Sequence, residues 1–113
     1  MALIFHLTHK VAWESARTVG EYSAPSLAEE GFIHCSRDIP QLLRVAGRIY
    51  PGETGLMVLD VDLDRLNVAV KHEPSRSGEV YPHIYGKLNT DAVVRERDLQ
   101  IGQIGRASCR ERV

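Results

Sequence analysis

Two short segments, Gly31-Phe-Ile-His-Cys-Ser36 and Tyr81-Pro-His-Ile-Tyr-Gly86, constrain this chain more than any other feature. Each sets a histidine inside an otherwise apolar, strand-like run. Side chains alternate between the two faces of a strand. Phe32, His34 and Ser36 therefore share one face, opposite Ile33 and Cys35. Tyr81, His83 and Tyr85 likewise lie opposite Pro82 and Ile84. An imidazole withdrawn from water needs a hydrogen-bond partner. Two such runs in a chain of 113 residues point to one shared polar pocket.

That length supports one domain with one core. Apolar residues make up 43% and charged residues 26%, ordinary values for a soluble globular chain. No apolar run approaches the roughly 20 residues of a membrane span. Met1-Ala-Leu-Ile-Phe-His-Leu7 has no basic flank and reads as a first strand, not as a signal peptide, so a cytoplasmic location is expected. Two cysteines, Cys35 and Cys109, make no disulfide framework, and no Cys-x-x-Cys pair is present. A net charge of -1 disfavours nucleic-acid and membrane surfaces as partners.

The segment Ile104-Gly-Arg-Ala-Ser-Cys-Arg-Glu-Arg-Val113 stands apart: it lacks periodicity and is rich in arginine. It matches, residue for residue, the in-frame translation of a common sequencing adapter, ATC GGA AGA GCG TCG TGT AGG GAA AGA GTG. Residues 1–103 are therefore read as the single domain and 104–113 as an artefactual tail. Without the tail, Lys plus Arg falls from 14 to 11 and Asp plus Glu from 15 to 14, for a net charge of -3.

Within the domain, residues 2–7 read as a strand that is apolar on both faces apart from His6, hence central in a sheet. Thr8 is placed to cap a helix ending at Val19 before Gly20, with Val11, Ala12, Ser15, Ala16 and Val19 inward. Ser26-Leu-Ala-Glu29 has capping-box spacing. Asp38 opens the clearest helix, whose stripe is Ile39, Leu42, Leu43, Ala46, Ile49 and Tyr50, closed by Pro51-Gly52. Strands are expected over 56–62, 68–72, 81–85 and 91–99, with a polar loop at 74–78. Few helices among many strands indicate an α+β fold rather than a doubly wound one.

His6, His34, Ser36, His83 and Tyr85 are the geometrically consistent lining of the pocket. They offer imidazoles, hydroxyls and an aromatic face to a ribose–phosphate or a flat heterocycle. A lone histidine such as His6 is more commonly a satisfied core group than a ligand. Cys35 points away from His34 and reads as a buried, inert thiol. Arg37 follows Ser36 directly and is placed to reach a phosphate, whereas Arg44 and Arg48 continue a basic stripe that reads as solvated. Glu73 and Glu79 flank the polar loop. Solvated charges are the ordinary reading for both, but Glu73 ends a strand and is the candidate catalytic carboxylate. No His-x-x-x-His spacing occurs, so no metal is expected and a metal-dependent hydrolase is the minor alternative.

The chain resembles the bacterial family called domain of unknown function 952. The resemblance spans roughly residues 3 to 98. It rests on Phe5-His6-Leu7, Tyr22, Ser26-Leu27, Glu30 with the first histidine segment, Leu59-Asp-Val-Asp62, Glu73 and the second histidine segment, in which Tyr81 replaces a more familiar phenylalanine. It implies a fold like that of ADP-ribosyltransferases: a small, split, mostly antiparallel sheet with flanking helices and a central cleft. In such relatives the cleft binds NAD, as it does in RNA 2'-phosphotransferases. By that likeness His6 or His34 would meet the ribose, Tyr85 would stack on nicotinamide and Glu73 would assist glycosidic cleavage. The expected ligand is NAD or another ADP-ribose-containing or phosphorylated nucleotide. The chain lacks a clear Glu-x-Glu motif, which favours the alternative of a non-catalytic binding module.

Overall fold

A computed structural model of the chain describes residues 2–101 and 107–111. In chain order the elements are β1 (Leu3–His9), α1 (Lys10–Val19), β2 (Glu21–Tyr22), α2 (Pro25–Glu30), β3 (Ile33–His34), α3 (Ile39–Ile49), β4 (Leu56–Asp62), β5 (Val70–Pro74), β6 (Val80–Ile84), β7 (Leu88–Asn89), β8 (Val93–Ile101) and β9 (Ala107–Glu111). They form an α+β fold with a split sheet. One part has the order β1-β4-β8-β9, another β3-β6-β5, and β2 pairs with β7. Every ladder among the described residues is antiparallel. Residues 107–111, inside the segment set apart by its sequence, pair with β8. No described helix is long and apolar enough to cross a membrane.

The central strand is β4, not β1 as its two apolar faces suggested. All seven residues of β4 are buried. Met57, Leu59 and Val61 face one core with Trp13, Ile33 and Ile84; Leu56 and Val58 face a second core with Leu42 and Ala46 of α3. β1 ends its ladder, but it is not an open edge, because Phe5 and Ser36 exchange backbone hydrogen bonds of 2.9 and 2.7 Å. This bridge ties β1 to the chain leaving β3 and so joins the two larger sheets across the future site.

The helices depart from expectation where one side chain outranks a pattern. In α1 the buried residues are Trp13 and Ala16, while Val11 and Val19 are each 74% exposed. Burying one indole removes more apolar area than the small residues of the expected face. Thr8 lies in β1, and α1 begins after His9 with no side-chain cap. Ser26 does not cap α2 either, since Ala24 holds that position. Asp38 does cap α3, accepting a hydrogen bond from the Gln41 amide, and Gly20 closes α1 in the left-handed conformation that glycine adopts freely.

Candidate functional site

Antiparallel pairing of β3 with β6 sets His34 directly opposite His83, while Ile33 and Ile84 meet on the core face. The two imidazole centroids lie 5.3 Å apart at 87°. Phe32 stacks on His83 at 4.0 Å and meets His34 edge-on at 4.9 Å. The face expected from strand alternation thus exists, with the phenylalanine locking the second histidine.

Each imidazole carries its own carboxylate. His83 Nδ1 donates to Glu73 Oε1 at 2.8 Å, and the Tyr85 hydroxyl donates to the same oxygen. These two bonds, Tyr85's first, hold the Glu73 carboxyl below its ordinary range, and the bond to Glu73 raises the Tyr85 phenol. Lys71 Nζ sits 4.7 Å over the Tyr85 ring. Glu30 Oε2 lies 2.8 Å from His34 Nε2, one helical turn before it in sequence. His83 is largely enclosed and His34 half-exposed, with side-chain exposures of 12% and 54%.

His6 plays a different part. It is 4% exposed, with Nδ1 2.7 Å from the His34 carbonyl and Nε2 2.8 Å from the Tyr22 hydroxyl, which also lies 2.8 Å from Thr8 Oγ1. A carbonyl only accepts, so Nδ1 carries the proton. Nε2 of the neutral ring then accepts from Tyr22, whose oxygen accepts from Thr8. Burial holds the His6 imidazole down at about 4, more than the His34 carbonyl bond raises it. His6 thereby fixes the backbone that presents His34.

These groups border a cleft of about 830 Å³ between the sheets, lined among others by His6, His34, Ser36 and His83. Tyr85 and Glu73 lie on the same sheet face as His83 but are not part of the lining. Neither is Arg37, whose guanidinium pairs with Asp38 and Glu79. Sequence reasoning missed the cations that do line the cleft, Arg48 and Arg76. Neither makes an ion pair or hydrogen bond with any described residue. Arg48 belonged to a stripe read as solvated and Arg76 to a loop, so only tertiary structure brings them in.

The loop is held by Glu79, which is not a free surface charge. Its carboxylate takes Arg44 Nη2 at 2.7 Å and Tyr81 Oη at 3.0 Å, with Gln41 Nε2 at 3.4 Å, and is held down at about 2, by Arg44 first. Cys35 is buried, which pushes its thiol well above its usual value, as the inert reading requires. Among the described residues no group of three or more histidine, cysteine, aspartate or glutamate side chains is arranged to hold a metal ion.

Fold and site together define a small α+β domain with a split antiparallel sheet and a cleft bordered by two paired histidines. The chain belongs to the family described as protein of unknown function DUF952, whose model matches residues 7–96. It is similar to protein CC0527 from Caulobacter crescentus. The crystal structure of that protein is 33% identical, with a TM-score of 0.81, covering 94% of this chain and 93% of that one. Its solution structure is 32% identical, with a TM-score of 0.75, covering 88% and 86%. No functionally curated protein matches the chain.

Proposed function

We propose that the cleft binds NAD or another ADP-ribose-containing or phosphorylated nucleotide. The supporting observation is the convergence of both histidine segments on one cleft that also presents two arginines, Arg48 and Arg76, with no ion pair or hydrogen bond to any described residue. Arginine without a carboxylate partner suits a phosphate, which it engages through a fork of N–H donors. A cleft of about 830 Å³ lies within the range of small-molecule and cofactor sites. The split antiparallel sheet agrees with the ADP-ribosyltransferase-like architecture that the family resemblance implies, and the matching reaction is displacement of nicotinamide at the ribose C1'. Calorimetric titration with ADP-ribose tests the reading. Arg48→Ala and Arg76→Ala each weaken binding, by roughly ten- to a hundredfold for a lost charged hydrogen bond. Unchanged affinity in both variants refutes the phosphate assignment.

A second reading, a non-catalytic binding module, has its own supporting observation. Glu73, the carboxylate expected to assist glycosidic cleavage, is engaged by His83 and Tyr85 and does not line the cleft. Tight ADP-ribose binding without nicotinamide release from NAD establishes that reading.

A further inference from the structure

A carboxylate bonded to one nitrogen of an imidazole dictates the state of the other. Ionised Glu73 is an acceptor only, so His83 Nδ1 must be the donor of their 2.8 Å bond. In the neutral ring the lone pair then belongs to Nε2, which makes no hydrogen bond with any described residue. Phe32, stacked at 4.0 Å with a 10° interplanar angle, prevents the ring from turning, and His83 borders the cleft. A Tyr85 hydroxyl on the same Glu73 oxygen fixes the carboxylate in turn. This is the arrangement of an oriented general base: an imidazole held in one tautomer, with its basic nitrogen left to the ligand.

Building on the nucleotide reading above, we propose that His83 is the catalytic residue of this cleft and that Glu73 is its positioning residue. The substrate is a nucleotide with a ribose N-glycosidic bond to a cationic heterocycle, and the co-reactant is water. The C1'–N bond breaks with its electron pair going to the heterocycle, which leaves neutral. The water oxygen forms the new bond to C1' and gives its proton to His83 Nε2. Bound water at this position has the imidazole on one side, and the Arg48 and Arg76 cations hold the phosphates elsewhere in the cleft.

The test has three separable readouts on the full chain. Long-range proton–nitrogen NMR on the free protein reports the His83 tautomer, which is Nδ1–H in the wild type and loses that preference in Glu73→Ala. Nicotinamide release from NAD falls roughly 10²- to 10⁴-fold in His83→Asn, and also falls in Glu73→Ala. Far-ultraviolet circular dichroism and a cooperative thermal transition like the wild type's show that both variants fold. An Nε2–H tautomer in the wild type overturns the proposal. So does nicotinamide release that is undiminished in His83→Asn, or wild-type protein that binds ADP-ribose yet releases none from NAD. Failure of wild-type protein to bind ADP-ribose at all counts instead against the nucleotide reading on which the proposal stands.

Discussion

His6 makes folding stability depend on pH in a calculable way. The ring is neutral in the native state, with both nitrogens occupied, and its native value of about 4 lies below the 6.5 of an exposed histidine. Above pH 6.5 neither state holds the extra proton. As pH falls from there, the unfolded chain takes up a proton that the native ring refuses, so stability drops. Below about 4 both states are protonated and the loss stops. At about 1.4 kcal/mol per pH unit, this interval amounts to a loss of about 3 kcal/mol between neutral pH and pH 4. Carboxylates titrate in the same window, so the assay is urea unfolding of wild type against His6→Gln across pH 7.5 to 4. The variant keeps a donor and an acceptor and removes the titration. The stability difference between the two proteins should shift by about 3 kcal/mol in favour of the variant at low pH, or roughly 1–3 M in urea midpoint. A difference that stays flat across that range refutes the neutral, desolvated His6.

Three further outcomes are expected. Asp60 is fully buried and bidentate to Arg97 at 2.9 Å, so Asp60→Ala should destabilise the fold by about 3–5 kcal/mol in the same urea assay. At Gly86 an added Cβ would stand 2.7 Å from Val68 Cγ1, so Gly86→Ala should lower stability by about 1–3 kcal/mol, and Val68→Ala in the same chain should recover part of it. Cys35 is 5% exposed with a raised thiol value, so iodoacetamide should label it only on unfolding, read by peptide mapping; rapid native labelling contradicts its burial.

What could be read in the sequence was what local chemistry decides. β4 occupies the expected residues 56–62 because hydrophobic runs and flanking turn residues bound it, and Asp38 caps α3 because a short acceptor side chain precedes the helical stripe. The histidine face followed from period-two alternation alone. The inward face of α1 did not, since Trp13 rather than the small residues decides which side packs. The Thr8 hydroxyl suits a cap, but Tyr22, 14 residues further along the chain, claims it for a buried chain of hydrogen bonds that continues to His6. The Glu73–His83 bond depends on the β5–β6 register, which sets Glu73 opposite Tyr81 and diagonal to His83. Arg48 and Arg76 reach the cleft only through packing of α3 and the hairpin, to which a linear pattern is blind.

Thermal unfolding of wild type and His34→Ala, with and without ADP-ribose, tests most directly whether the two histidines serve a ligand rather than the fold. A ligand at about 100 times its dissociation constant adds roughly 2.7 kcal/mol. For a domain near this size that raises the midpoint by roughly 10 °C or more. The half-exposed His34 ring contributes little burial, so His34→Ala should unfold close to wild type without ligand and lose the ligand-dependent rise. A wild-type midpoint that ADP-ribose, NAD, nicotinamide and phosphate all leave unmoved would contradict a nucleotide cleft, and collapse of His34→Ala without ligand would make that histidine a structural one.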